Sequence, residues 1–186
     1  YRCVFSAAKN GDSEQLVESA DVMSVYTSFD VSNLDSGPIP TEQDYCLLLL
    51  NKNIGDSVGW HGVAPVLPTV DISQPNLSLQ ISGYPFGDPP PPFNNPQNTD
   101  YDGKNLYVNV GSLLYIEHQN QVALYEIDTG AGQSGSALVW HEDNSQDGIV
   151  VGVHVGGTQG GANTGVVITD HLFAEIQSVL ENTGGV

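Results

Sequence analysis

The feature that most constrains the fold is a series of short apolar runs in the second half of the chain. The runs recur at intervals of roughly ten to fifteen residues, which is typical of the strands of a β-barrel or a sandwich. The 21 Gly and 11 Pro among 186 residues suit such a turn-rich, all-β chain better than a helical bundle. The runs are LYVNVGSLLYIE, VALYEIDTG, GSALVW, IVVGVHVGG and TGVVIT.

Further strand-like segments lie in the first half of the chain. Residues 1–6 and 21–31 are typical of strands. The apolar run DYCLLLLNKNIG, residues 44–55, is short, and its length favours a buried strand over a helix. Residues 78–87 predict a strand that ends in a turn. Residues 88–105 contain four consecutive prolines and predict an exposed loop, because proline cannot serve a central strand.

The C-terminal end of the chain has a different periodicity. Thr169 or Asp170 can cap a helix, and the apolar residues that follow recur at helical spacing. These apolar residues are Leu172, Phe173, Ile176, Val179 and Leu180. We therefore expect a barrel-like β domain closed by one C-terminal helix.

The charge of the chain excludes several classes of partner. Asp and Glu number 22 against 4 Lys and Arg, for a net charge of −18. Nucleic acid is excluded as a partner, because phosphate binding needs clustered cations.

No segment approaches the roughly 18 consecutive apolar residues of a membrane span. The acidic residues are scattered without a calcium-loop pattern, so we assign no metal and no cofactor. Such acidity is typical of a secreted or salt-exposed protein.

The stretch DTGAGQSGSALVW, residues 128–140, contains a candidate nucleophile. Acyl transfer by serine needs an exposed hydroxyl on a sharp turn and backbone N–H groups aimed at the developing oxyanion. The glycines around Ser134 permit a strained turn, and the N–H groups of Gly132 and Ser134 can converge as an oxyanion hole. The alternative is a Gly/Ser turn that only connects two strands.

Several blocks, in chain order, resemble the bacterial glutamyl endopeptidases among the chymotrypsin-fold serine proteases. Residues 44–49 are similar to the D-Y-x-x-[IL]-x-L strand of that family, and residues 54–62 to the segment after it. Residues 81–85 resemble V-x-G-Y-P, residues 132–136 fit G-x-S-G-S, and residues 151–157 resemble V-x-G-x-H-x-G-G. The resemblance implies a chymotrypsin-like double β-barrel with a C-terminal α-helix and an incomplete N-terminal barrel.

The resemblance also implies a division of the chain and roles for the nucleophile and the acid. Residues 1–62 would be the remainder of the N-terminal barrel, and residues 63–186 would form the C-terminal barrel and the helix. Ser134 would be the nucleophile, and Asp44 would orient the histidine that takes the serine proton. Without the resemblance, Asp44 is equally an acid at the start of a strand.

A substrate pocket is implied at Thr129, His154 and Gly156. In the family, such a threonine and histidine hydrogen-bond a substrate glutamate, so the resemblance implies cleavage after Glu or Asp. The alternative for His154 is a strand histidine that points into a polar barrel face. Asp128 lies six residues before Ser134, as in trypsin-like enzymes, and would instead favour a basic side chain.

The general base is missing from its expected place. The family order is His, Asp, Ser, but all the histidines here follow Asp44: His61, His118, His141, His154 and His171. By the block alignment, residues 1–5 follow the catalytic histidine's loop, so three strands would precede them. Recruitment of His61 or His118 would not fit the family geometry.

Cys3 and Cys46 permit one internal disulfide, or Cys3 pairs with a segment outside this chain.

Three explanations of the missing histidine are open. The protein is a two-chain protease whose companion N-terminal chain carries the histidine, or the sequence starts late, or the chain is a catalytically inactive binding or structural module. The sequence therefore predicts a secreted serine endopeptidase that cleaves polypeptides through an acyl-enzyme and is completed by a histidine-bearing segment. The alternative function is the inactive protease-like module.

Overall fold

The computed structural model describes residues 3–7, 18–29, 37–65, 77–87, 101–117, 121–141, 147–158 and 161–183. Within these ranges the chain forms two β-sheets and a helix near the C-terminus, as the apolar periodicities predict. None of the described helices is both long and apolar enough to cross a membrane.

The first sheet is antiparallel and has three strands in the order β1-β2-β3. They are β1 (Val4–Ala7), β2 (Glu18–Thr27) and β3 (Cys46–Leu50). A bulge interrupts the β2–β3 register between Val22 and Ser24. A 3-10 helix, Thr41–Gln43, precedes β3, and the short helix α1 (Gly55–Val58) follows it.

One face of this three-stranded sheet is only half covered. Leu50 and Leu48 share that face of β3, because side chains two residues apart point the same way. Leu50 packs against the small core of Ala7, Ala20 and Ile54. Leu48 and its register partner Val25 are 43% and 54% exposed. The strand predicted in residues 44–55 is therefore confirmed, but the prediction that it is buried is wrong, because no second layer covers Leu48 in the described part of the chain.

The two cysteines lie too far apart to bond. Cys3 immediately precedes β1, Cys46 begins β3, and β2 runs between the two strands. Two strand spacings of about 4.8 Å separate them, which exceeds the Cα distance of a disulfide. Both thiols are free and exposed.

The second sheet has seven strands in the order β10-β7-β6-β5-β8-β9-β4. Strands β10 and β9 also pair, so six of the strands form a closed barrel, and β4 joins β9 as a parallel edge. The strands are β4 (Gly62–Val63), β5 (Ser78–Gly83), β6 (Tyr107–Glu117), β7 (Val122–Glu126), β8 (Ala137–His141), β9 (Gly148–Gly157) and β10 (Asn163–Val167).

The barrel interior is filled by the inward-facing residues that alternate along its strands. Leu79 and Ile81 on β5 are 2% and 0% exposed, whereas Gln80 between them is half-buried. They pack with Tyr125 on β7 and Leu138 on β8 in the main core. The predicted proline-rich loop lies mostly outside the described residues.

Helix α2 (Asp170–Asn182) follows β10 and confirms the predicted C-terminal helix. The Thr169 hydroxyl caps it by accepting a hydrogen bond from the backbone N–H of Leu172, at 3.2 Å. Leu172 packs against Val166 and Ile168 at the end of β10. Tyr45 and Val155 contact the same cluster, so α2 lies between the first sheet and the barrel.

Candidate active site

The predicted nucleophile lies on a turn that is held by hydrogen bonds within the turn and to the barrel. Gln133 N donates to the Gly130 carbonyl at 3.2 Å, and the Gln133 side-chain oxygen accepts from Gly130 N at 2.7 Å. Gly132 and Gly135 have φ of +91° and +88°, a region that side chains with a Cβ avoid. The sequence therefore places glycine at the two positions where the turn requires it.

Ser134 is exposed at the tip of this turn and is held beside strand β9. Its hydroxyl donates a hydrogen bond to the carbonyl oxygen of Val155, at 2.9 Å. The backbone N–H of Gly135 donates to the His154 carbonyl, and the N–H of His154 donates to the Ser136 carbonyl, each at 2.8 Å. The turn is thus fixed to the strand segment that carries the predicted pocket.

Two backbone donors are available next to the Ser134 hydroxyl. Within the described ranges, neither the N–H of Gly132 nor that of Ser134 donates a hydrogen bond to another group. Exposed, unpaired N–H groups on a rigid turn can bind a negatively charged oxygen. These are the two donors that the sequence predicts for an oxyanion hole, and that role stays a prediction.

Asp44 is exposed at the C-terminal end of the 3-10 helix that precedes β3. Its neighbour Tyr45 packs in the cluster that also contains Val155, whose carbonyl accepts the Ser134 hydroxyl. The Tyr45 hydroxyl donates to Glu175 on α2 at 3.1 Å, beside a cavity of about 280 Å³ between β2, β3 and α2. The packing of Tyr45 therefore places the Asp44 segment on the same side of the barrel as Ser134.

His154 is buried behind the nucleophile turn, at 3% exposure. Its Nδ1 lies 2.6 Å from the hydroxyl of Tyr125 on β7, which in turn donates to the Thr164 carbonyl at 3.0 Å. Burial lowers the pKa of the His154 imidazole, and the Thr164 backbone opposes this shift. Burial also raises the pKa of the Tyr125 hydroxyl. Both side chains are therefore neutral at pH 7.

Thr129 and Gly156 lie at the two sides of strand β10, next to His154. The Thr129 hydroxyl donates to the side-chain oxygen of Asn163 at 3.0 Å, and the Asn163 amide bonds to the Ile127 carbonyl. Gly156 on β9 pairs with Thr164, which directly follows Asn163 on β10. A Cβ added to Gly156 would meet open space. The structure thus brings the three predicted pocket residues together around the beginning of β10.

Asp128 is exposed and does not act on His154. Burial is the main cause of the raised pKa of the Tyr101 hydroxyl, and the negative charge of the Asp128 carboxylate is the second cause. The backbone carbonyl of Asp128 accepts a hydrogen bond from the Asn109 side chain at 2.7 Å.

Two of the other described histidines, His61 and His141, lie away from Ser134. His61 Nδ1 is 3.2 Å from the Gly148 carbonyl, and His141 is the register partner of Gly148. Gly148 is seven residues before Val155 on β9, roughly 20 Å along the strand. His171 lies on α2 with its Nδ1 3.6 Å from Glu175, and His118 is outside the described residues. None of the imidazoles in the described ranges hydrogen-bonds the Ser134 hydroxyl.

Tyr125, Gln133 and Asn163 support the site but were not identified from the sequence. Gln133 is 1% exposed, and its amide nitrogen has no hydrogen-bond partner among the described groups. The one available signal was a polar residue in an otherwise tight glycine turn. Tyr125 and Asn163 gave no signal, because a tyrosine in VALYE and an asparagine after a turn are both typical of ordinary strands.

The solved structures that are similar to this chain include three proteases. A Glu endopeptidase in complex with MPD is 26% identical, with a TM-score of 0.68 over 96% of this chain and 71% of that one. The protease Anisep from Arthrobacter nicotinovorans is 18% identical, with a TM-score of 0.64 over 93% and 72%. The thermostable serine protease AL20 from an extremophilic microorganism is 19% identical, with a TM-score of 0.60 over 92% and 74%.

These structures confirm the predicted resemblance to the glutamyl endopeptidases and the chymotrypsin-like fold of the chain. No family model matches the sequence, and no curated protein is similar to it. The chain thus has the fold of the serine proteases, with one closed barrel and one open sheet.

Proposed function

We propose that this chain is the larger part of a secreted serine endopeptidase that hydrolyses peptide bonds through an acyl-enzyme on Ser134. The observation that carries the proposal is the exposed Ser134 hydroxyl on a turn whose Gly132 and Ser134 N–H groups are free within the described ranges. A turn that only connected strands would have no need of both an exposed nucleophile and two unpaired donors.

The proposed reaction has two stages. The Ser134 oxygen attacks the carbonyl carbon of the scissile bond, its proton passes to a histidine base, and the carbonyl oxygen becomes negative between the two N–H groups. The C–N bond then breaks, the amine leaves with that proton, and an ester remains on Ser134. Water hydrolyses the ester by the same route and restores the hydroxyl. Asp44 would orient the histidine.

We further propose that the pocket at Thr129, His154 and Gly156 prefers Glu or Asp before the scissile bond. The support is the grouping of Thr129, His154 and Gly156 around the beginning of β10 and the open space beside Gly156. The Asp128 carboxylate acts on Tyr101 and is not among the groups that shift the pKa of His154.

The histidine base is proposed to come from a companion segment outside this chain. The support is the half-covered face of the first sheet, where Phe5, Val25 and Leu48 are 42%, 54% and 43% exposed. Removing apolar surface of this kind from water contributes about 25 cal/mol per Å², from which the costs of ordering the two partners are subtracted. A companion on this face would lie near Asp44, which is two residues before the start of β3.

The test is fluorophosphonate treatment of the native, complete protein, followed by peptide mapping. We expect label on Ser134, a companion fragment that contains histidine, and no label in Ser134→Ala. The matched control is Ser136→Ala, two residues away on the same turn, which should still be labelled. A complete native protein that is never labelled at Ser134 would refute the protease proposal and favour an inactive binding or structural module.

A further inference from the structure

The hydroxyl of Tyr125 lies between two groups that can both accept its single proton. One is Nδ1 of His154, at 2.6 Å, and the other is the carbonyl oxygen of Thr164, at 3.0 Å. A tyrosine hydroxyl donates one hydrogen bond and accepts others. Tyr125 therefore cannot donate to both at once, and both contacts are hydrogen bonds together only when His154 donates a proton from Nδ1 to the Tyr125 oxygen.

We propose that Tyr125 is a positioning residue of the specificity pocket, which holds His154 so that the imidazole takes up a proton when a substrate carboxylate binds. The inference rests on the proposed function and deepens it. In the carboxylate complex, Nδ1–H of His154 donates to the Tyr125 oxygen, and the Tyr125 hydroxyl donates to the Thr164 carbonyl. Nε2–H then remains for the carboxylate. The additional proton comes from solvent, so the complex forms with uptake of one proton.

The surroundings of His154 explain why the ligand must supply the charge. Strand β7 presents the Tyr125 hydroxyl to the imidazole and β10 presents the Thr164 backbone, whereas Gly135 and Ser136 of the nucleophile turn bond only the backbone of His154. In the described part of the chain no carboxylate or cation acts on the imidazole. A buried imidazolium without a counter-ion is unfavourable, and a bound carboxylate removes that penalty.

The strand geometry makes room for this chain of hydrogen bonds. A register shift between Thr164 and Gly165 places Gly165 opposite His154. A Cβ on Gly165 would lie 2.6 Å from the Val153 carbonyl oxygen and 3.3 Å from the Tyr125 hydroxyl. Glycine at this position therefore lets the Tyr125 hydroxyl reach both His154 and Thr164.

The test uses Tyr125→Phe, which removes only the hydroxyl, with Tyr101→Phe as the matched control. A peptide ending in Glu and the same peptide ending in Gln are titrated by calorimetry at pH 7.5, in two buffers of different ionisation enthalpy. The wild type and Tyr101→Phe should take up close to one proton with the Glu peptide and none with the Gln peptide. Tyr125→Phe should bind the Glu peptide about tenfold more weakly, with the Gln peptide unchanged, because a hydrogen bond to a charged group is lost.

Two results would overturn the role of Tyr125 and leave the protease proposal intact. One is a Tyr125→Phe protein that is labelled at Ser134 and keeps the wild-type proton uptake and Glu/Gln ratio. The other result applies if that variant does not fold, and it comes from the ¹⁵N chemical shifts of the His154 ring in the wild type. We expect these shifts to report protons on both ring nitrogens when the Glu peptide binds. A neutral imidazole in that complex would contradict the proposal. A wild type that is labelled but binds both peptides equally refutes the proposed specificity and this inference together.

Discussion

The Ser134 hydroxyl donates its hydrogen bond to the Val155 carbonyl oxygen at 2.9 Å. Because Val155 directly follows His154 on β9, this contact joins the nucleophile turn to the strand that carries the predicted pocket. A serine that donates to a carbonyl keeps its proton. A base that activates Ser134 must therefore replace the Val155 carbonyl as acceptor, and a companion histidine would make that exchange.

Alanine at Gly132 should be more harmful than alanine at Gly135, although both backbones have positive φ. A Cβ at Gly132 would lie 2.6 Å from Phe86 Cδ1 and 3.0 Å from the Tyr84 carbonyl, whereas a Cβ at Gly135 meets open space. Each variant should lose about 1–2 kcal/mol through its backbone conformation. Gly132→Ala should in addition slow fluorophosphonate labelling of Ser134 by at least about tenfold, because the clash moves an oxyanion donor. Equal labelling rates in the two variants would contradict this prediction.

Gln133→Ala should destabilise the chain by roughly 2 kcal/mol, because it leaves the Gly130 N–H without its acceptor and opens space in a packed turn. Urea denaturation measures the change in the free energy of unfolding. The matched control is Gln80→Ala on β5, where the side chain is half-buried and its one described bond, to Ser82, is long at 3.4 Å. We expect less than half the effect there, and a reversed order would contradict the bracing role of Gln133.

His154 should make the chain less stable as the pH falls below about 6.5, which is the pKa of an unperturbed histidine side chain. Its pKa is lowered in the folded state, so the unfolded chain binds more protons in that window and gains stability from them. Unfolding experiments between pH 7.5 and 5.5 should show a smaller loss of stability for His154→Gln than for the wild type. His171→Gln is the comparison variant, because the His171 side chain is 80% exposed, and the loss of stability should be reduced more by His154→Gln than by His171→Gln.

Leu48→Ser should have little effect on this chain alone, because Leu48 is already 43% exposed. The change in the free energy of unfolding should stay near 0.5 kcal/mol. In the complete native protein, the same substitution should weaken retention of the companion fragment and reduce labelling of Ser134. The control is Leu180→Ser, at 53% exposure on α2. Co-purification that is weakened equally by both substitutions would argue against a companion on the face of Leu48.

Local patterns were enough to predict the strands, the helix and the nucleophile turn. The alternation around Leu79 and Ile81, the helical spacing after Thr169 and the glycines beside Ser134 each act within a few residues, so the sequence alone shows them. The domain boundary between residues 62 and 63 stays a prediction. So do the roles of the predicted site residues, which are Ser134, Asp44, Gly132, Thr129, His154 and Gly156.

The sequence by itself determined which segments become strands and where the candidate nucleophile lies, because backbone preferences and turn chemistry are local. Only the tertiary structure decided which side chains meet across the barrel. Tyr125 reaches His154 over 29 residues, and Ser134 reaches Val155 over 21, through strand registers that no local pattern encodes. Likewise, the apolar run of β3 predicts a strand but not how many of its faces are covered, because coverage depends on neighbouring strands rather than on the run itself.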